Sequence, residues 1–372
     1  MPVHKTRSNE KLFAPPVMLC GFILILLVLY GIRPQYALAR PHWRMYIPPD
    51  AGNVFFMDVR HGVVLGAHHI AWTRDGGCNW HLAKIKANLK GVNLSGLWFS
   101  SAKLGWADGG TRGWPNHGML LKTTDGGRVW QMVDLPQTIG SMGAVWFGPH
   151  GRHGRLLPGT GTVFWQTADG GKTFVRVNVG QLFQGGWWIG SWRTMFLAGT
   201  AGRVIWRTTD AGKTWKRTAT GLKGPAAQIS AISFAPGGKV GWAVGGRGKW
   251  LKNGGWWMPH IPVILHTTNG GKTWTMQKPP AGRSGSLTDV WAISPQQAWI
   301  SSYMGYARTN PLTALPWLLH TTNGGRTWPD VMHHVLSLRK LFFVDARHGW
   351  AVGGQGGSPY EPPAGILIYK SR

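Results

Sequence analysis

The chain has 372 residues, and 40 Lys+Arg against 13 Asp+Glu give it a formal net charge of +27. Such a field favours anionic partners: nucleic acid, anionic lipid, acidic polysaccharide or an acidic protein surface. With only two cysteines, Cys20 and Cys78, a disulfide framework is excluded, while 55 Gly and 24 Trp suit many tight hairpins with aromatic packing.

In chain order, residues 1–13 carry Lys5, Arg7 and Lys11 against Glu10, and residues 14–32 (APPVMLCGFILILLVLYGI) carry no charge. A basic stretch before such an apolar run predicts a secretory signal or a signal anchor with a cytoplasmic N-terminus. Ala37-Leu38-Ala39 offers a cleavage site, yet the apolar run is long enough to span a bilayer if it is retained. A lipoprotein is disfavoured because Leu19 precedes Cys20 where a small residue is needed. In either version everything after residue 39 lies outside the cytoplasm, on the periplasmic side, anchored by residues 14–32 or released after Ala39. Nucleic acid is therefore no expected partner, despite the charge.

From residue 40 a turn phrase recurs: TRDGGCNW (73–80), TTDGGRVW (123–130), TADGGKTF (167–174), TTDAGKTW (208–215), TTNGGKTW (267–274) and TTNGGRTW (321–328), at spacings of 50, 44, 41, 59 and 54 residues. That period is the signature of a propeller or another repeat array. Asp or Asn before Gly-Gly predicts a hairpin turn, because the side-chain oxygen can accept backbone N–H bonds and glycine tolerates positive φ. Upstream of each box lies a second phrase, clearest in ISAISFAPGGKVGWAVGG (229–246) and LRKLFFVDARHGWAVGG (338–354).

The boxes resemble the Asp-box repeat (S/T-x-D-x-G-x-T-W) of sialidases and related propellers. The whole unit, over roughly residues 43–369, is similar to the photosystem II assembly and stability factor family. That resemblance implies a membrane-anchored seven-bladed propeller that binds a membrane-protein or assembly partner. Seven units run along the chain, and the seventh starts at Leu338 and ends before a box. HWRMYIPP (42–49) aligns without gaps to TWTMQKPP (273–280), so Trp43–Pro48 is expected to supply the missing outer strand and close the ring. The expected architecture is an all-β, seven-bladed β-propeller closed by an N-terminal strand and preceded by one transmembrane or signal helix. Residues 1–39 form the anchor segment and residues 40–372 the propeller, as a monomer.

If the four strands of a unit run from the axis outward, the boxes share one face with the turns between first and second strands. Their sixth positions, Arg128, Lys172, Lys213, Lys272 and Arg326, make a cationic ring there. Hairpins between second and third strands lie on the opposite face and are long in units two, five, six and seven. They carry Trp114, Trp250, Trp256, Trp257, Tyr303, Tyr306, Trp317 and Tyr360 with Arg112, Arg247 and Arg308. Aromatic and Arg side chains on long loops suit recognition of a partner. We therefore expect the partner there; the box ring reads as solvated hairpin tips or as an attraction for anionic lipid or an acidic partner, and an anionic glycan is the alternative ligand.

Catalysis has a weaker case, since a glycosidase of the usual kind needs two carboxyl groups facing one cavity. Of the two glutamates one is Glu10, and Asp75, Asp125, Asp169 and Asp210 belong to box turns. The expectation is no enzyme, no cofactor and no metal: His68-His69 and His333-His334 lack a third ligand at metal spacing. The alternative is an anionic-glycan-binding module or a degenerate sialidase-like glycosidase.

Overall fold

The computed structural model describes residues 43–46, 51–111, 116–222, 226–249, 258–282, 285–302, 317–333, 338–353 and 365–370. The apolar run 14–32 lies outside these residues, and no helix among the described residues is long and apolar enough to cross a membrane. Apart from Trp43, every described residue belongs to one compact unit, Arg44–Arg372.

Among the described residues that unit is all-β, with two short 3-10 turns at Pro149–Gly151 and Thr200–Gly202. Its strands form antiparallel meanders in which each sequence unit contributes an inner, second, third and outer strand. The fifth unit is representative: Ala226–Phe234, Gly241–Lys249, Met258–Thr267 and Thr275–Gln277 pair in order. The outer strand beside Gly365–Lys370 is Trp43–Tyr46, where the alignment of HWRMYIPP with TWTMQKPP expects it.

Two departures from regular repetition have local causes. Units three and four share one seven-stranded sheet, because Val175–Ile189 runs fifteen residues without a proline. Its first half pairs back (Val163 with Asn178) and its last residues pair forward (Trp187 with Leu197), with register shifts in both ladders. In unit one the outer strand is only His81–Leu82, and the chain moves on as Lys84–Lys86 to pair parallel with the outer strand of unit two.

The core sits between sheets. In units two and seven the G-W-A second strand sends a Trp onto the inner-strand Phe of the next unit: Trp106 stacks on Phe147 at 3.8 Å and Trp350 on Phe56 at 3.5 Å, whereas Trp242 of unit five meets Trp328 edge-on at 6.2 Å. The glycine before the Trp is needed for close approach, since a Cβ at Gly349 would stand 2.2 Å from the Phe343 ring. Sheet-to-sheet burial of this kind makes neighbouring units mutually dependent. The inner strands pack in sequence, Asn53–Phe56 against both Val92–Phe99 and Leu338–Phe343, so the series closes on itself around an axis.

The boxes are the stitching at one end. Thr73 Oγ1 donates to Asp75 Oδ1 at 2.8 Å and accepts the Gly77 amide at 3.1 Å, while Asp75 Oδ1 accepts the Asn79 amide at 2.9 Å. The same set recurs with Asn269 and Asn323 in place of Asp. What the turn requires is therefore an acceptor oxygen rather than a charge. Where Asp stands it stays ionised: Asp169 is held well below the usual carboxylate range by the Thr173 hydroxyl and amide, and Asp210 is lowered to about 2 by the Thr214 hydroxyl and amide.

Candidate functional site

The inner strands enclose an axial channel with a volume of about 1140 Å³, lined from Gly52 round to Asp345. Alternation along a strand sends every second side chain toward the axis. In register, the positions that follow one another round the ring are Phe55, Trp98, Trp146, Trp188, Ser233, Trp291 and Phe342. Five of these rings form an unbroken series. Trp291–Phe342, Phe342–Phe55, Phe55–Trp98 and Trp98–Trp146 have centroid separations of 4.8, 4.7, 5.5 and 6.3 Å. Trp188 leans instead onto Phe234, at 4.7 Å, beside the small Ser233.

Nearer the start of the inner strands of units one, six and seven, the lining turns polar. Asn53 donates to Ser95 O at 3.0 Å, and Thr288 Oγ1 donates to Leu338 O at 2.8 Å. Lys340 Nζ reaches Asp289 Oδ1 on the neighbouring unit at 3.3 Å, while the Leu341 amide donates to the other oxygen at 2.9 Å. Burial pushes the Asp289 carboxyl up, against Lys340 and that amide. Lys340 keeps 41% of its side chain exposed and Arg339 beside it is exposed, so this end of the channel is cationic.

Asp108 lies behind the same lining, on the second strand of unit two, and is fully buried. It occupies the space that a side chain at Gly96 would take, since a Cβ there would lie 2.2 Å from Oδ2. Its Oδ1 accepts the Ser95 hydroxyl at 2.8 Å and the Gly96 amide at 2.9 Å, whereas Oδ2 has no partner. Burial outweighs both hydrogen bonds and pushes this carboxyl up to about 6.

These carboxyl groups do not make a hydrolytic pair. Asp289 is held by Lys340 and Leu341, and Asp345, the other channel carboxylate, accepts the Arg347 and His348 amides at 2.7 and 2.8 Å. Aromatic faces below a cationic mouth suit instead a bound segment with apolar side chains and a negative group.

Of the residues proposed from sequence as partner contacts, Arg112, Trp114, Trp250, Trp256, Trp257, Tyr303, Tyr306, Arg308 and Tyr360 lie outside the described residues. Arg247 sits half-buried on the second strand of unit five, opposite Ala227 and Ile261. Trp317 is 1% exposed and packs in the core with Trp242, Ile300 and Trp328. The reason is its register: it opens a third strand instead of ending a loop, so its ring points between sheets, and it leaves the set of surface contacts. The channel belt was missed from sequence, although its signal is present as aromatic pairs in the inner strands: Phe55-Phe56, Trp98-Phe99, Trp146-Phe147 and Phe342-Phe343.

An all-β ring of four-stranded meanders around an axial channel defines a β-propeller. Comparison with solved structures places the chain beside several propellers. It is similar to YCF48 bound to D1 peptide, at 19% identity and a TM-score of 0.64 over 90% of this chain and 99% of that one. It is likewise similar to YCF48 from Cyanidioschyzon merolae, at 17% identity and a TM-score of 0.62 over 88% and 99%. The GH74 xyloglucanase from Xanthomonas campestris aligns at 14% identity and a TM-score of 0.60, over 87% of this chain but only 55% of the enzyme. At these identities the likeness is one of fold. The sequence matches no protein-family profile and no curated protein.

Proposed function

We propose that the chain is a non-catalytic, seven-bladed propeller, held outside the cytoplasm by residues 14–32 or released after Ala39, that captures a segment of a membrane-protein or assembly partner. The observation that carries this reading is the channel: a cationic mouth at Arg339 and Lys340 leads to a belt of aromatic rings, with its carboxylates tied up in structural bonds. The similarity to YCF48 bound to D1 peptide supports a peptide-like occupant. The hairpin segments expected from sequence to carry Trp250, Trp256, Trp257, Tyr306 and Arg308 would extend the contact if they sit beside the mouth. A role in photosystem II assembly is the narrowest form of this reading and rests on the family resemblance.

A second reading, an anionic-glycan-binding module, is favoured by one observation, the shared fold with a xyloglucanase. One experiment separates the two: affinity purification from native membranes with the N-terminal segment intact. Co-purification of membrane-protein intermediates, reduced by Arg339→Ser, is the expected result. Recovery of polysaccharide with no membrane protein would overturn the proposal in favour of the glycan reading.

A further inference from the structure

The axial channel uses one end of the propeller, and the other end has a surface of its own. In unit after unit the box turn is tied to the turn that follows the inner strand. The amides of Gly76, Gly126, Gly170, Ala211 and Gly270 donate to the carbonyls of Arg60, Lys103, Arg152, Arg193 and Lys239, at 2.9, 3.0, 2.8, 3.1 and 2.8 Å. Unit six repeats the bond with Gln296, at 2.9 Å, and unit seven carries Arg347 at the matching position. These backbone bonds fix the two turns of a unit at one level. The side chains of Arg60, Lys103, Arg152, Arg193, Lys239 and Arg347 are all exposed there and form an inner ring of cations. Arg128, Lys172, Lys213, Lys272 and Arg326, at the sixth box position, are exposed as well and form an outer ring.

The acids at this end do not cancel the rings. They are Asp58, Asp75, Asp125, Asp169, Asp210 and Asp345, and each accepts hydrogen bonds from its own turn, as Asp58 does from the Arg60 and His61 amides at 2.7 and 2.8 Å. Between units seven and one the surface is notched by a cleft of about 350 Å³ lined by Arg60, Arg74, Asp75 and His348. Cations repeated at one level around two rings complement an extended negative plane better than a single anion.

The chain itself says which plane. Outer strands begin where the boxes end, as Val129–Val133 follows TTDGGRVW. Trp43–Tyr46 is the outer strand of its sheet and aligns with the residues that leave the fifth box. The chain therefore joins the propeller at the turn face. Only ten residues, 33–42, separate Trp43 from the apolar run 14–32, a reach of at most ~36 Å even when fully extended.

We propose that the turn face of the propeller docks on anionic lipid headgroups, leaving the channel mouth and the long hairpins turned away from the membrane toward the partner. The proposal rests on the reading that residues 14–32 hold the chain at a membrane. Polybasic surfaces beside a membrane segment bind anionic lipid with an affinity that falls within a Debye length and with added salt.

The test uses the full chain in vesicles. With Cys20→Ser, the exposed thiol of Cys78 labels the turn face at the sixth box position. With Cys20→Ser, Cys78→Ser and Lys90→Cys, a label sits on an exposed crossover at the opposite end. Quenching by a headgroup-attached quencher is compared in phosphatidylcholine vesicles and in vesicles with about 30% phosphatidylglycerol. The expected result is several-fold stronger quenching at Cys78 than at residue 90 on the anionic vesicles only. That difference should collapse at about 0.5 M salt. Lys172→Gln, Lys213→Gln and Lys272→Gln together should weaken docking by roughly fivefold per neutralised cation and so remove most of that difference. Equal quenching at the two labels, or no dependence on lipid charge, overturns the proposal. Abolition by stoichiometric inositol hexakisphosphate also overturns it, in favour of a discrete phosphate site. Failure to float with pure phosphatidylcholine vesicles would remove the anchor reading alone, because the anionic arm still decides which face docks.

Discussion

Arg155 offers the sharpest test of the packing argument. It stands on the second strand of unit three, where units two, five and seven place Trp106, Trp242 and Trp350, and it is 0% exposed. Its guanidinium lies 5.6 Å from the Phe164 ring centroid and 5.1 Å from that of Trp192, and it donates one bond to Trp192 O, but Nε and Nη1 find no partner. Burial lowers its pKa from the ordinary guanidinium value to about 10. That corresponds to roughly 3 kcal/mol of cost for the charged form, present at every pH below about 10. The unpaired N–H groups are the same cost seen structurally, so the two are not added. Arg155→Met keeps the length of the side chain against both rings and removes the charge. It gives up a carbonyl bond worth ~1 kcal/mol and ring contacts worth ~1 kcal/mol, and regains part of the latter through sulfur–aromatic contact. The net expectation is a gain of about 1–2 kcal/mol, in line with apolar replacement of other buried ionic groups, and a rise in Tm of roughly 2–4 °C for a domain this large. Urea unfolding followed by Trp fluorescence at pH 7 measures it directly. A loss of more than about 1 kcal/mol would refute the reasoning, since it would mean that the guanidinium is stabilised where it lies.

The remaining predictions concern other single positions. Ala211 adopts φ 65° where the other boxes have glycine at φ 69–81°, so Ala211→Gly should stabilise by about 0.5–1 kcal/mol in the same assay, the strain relieved exceeding the added chain entropy. Asp108, with its carboxyl pushed from 3.8 up to about 6, binds its proton more tightly folded than unfolded. Its contribution is therefore present in full below about 3.8 and lost as pH rises through about 6, a decline of roughly 3 kcal/mol. Asp108→Asn should flatten the difference in unfolding free energy between pH 4 and pH 7.5, and an unchanged difference would exclude this group as its source. Deleting residues 40–49 removes the outer strand beside Gly365–Lys370 and should lower the midpoint of thermal unfolding sharply; a midpoint within 2 °C of the intact chain, or near ~1 kcal/mol on the scale above, would refute closure.

What was legible in the sequence followed from local chemistry repeated many times. T-x-D/N-G-G fixes a hairpin whose hydrogen bonds depend on residues no more than four apart, and six copies recurring every 41–59 residues turn that local certainty into an architecture. The closing strand was legible for the same reason, because Trp43 aligns with Trp274. What was not legible depends on register across units. The aromatic belt needs Phe55, Trp98, Trp146, Trp291 and Phe342 to meet round an axis, although they stand on separate units and Phe342 meets Phe55 from the far end of the chain. Trp317 failed in the opposite direction: nothing local says whether a Trp at a loop end turns out to solvent or into the sheet stack, and the ladder of Leu318 with Ser301, with the Trp317 amide donating to the Ser302 hydroxyl at 2.8 Å, fixes it inward.

The same repetition explains how one scaffold presents two unlike ends. At the turn face each unit must keep an acceptor, a tight turn and the backbone bond to its neighbour, which leaves only outward-pointing positions free to vary. Cations at those positions recur without disturbing the fold, so charge accumulates there unit by unit. At the other end the described hairpins are bonded to the crossovers beside them, as the amides of Gly185 and Thr220 are to the carbonyls of Gly159 and Arg203 at 3.2 and 2.9 Å, and these bonds lie away from the box turns; in unit five the second and third strands pair as far out as Lys249 with Met258. Variation in length is therefore concentrated at the channel mouth and variation in charge at the turn face. A propeller built this way separates a shaped recognition end from a flat electrostatic one, and substitutions at either end should alter its own ligand with little effect on the other.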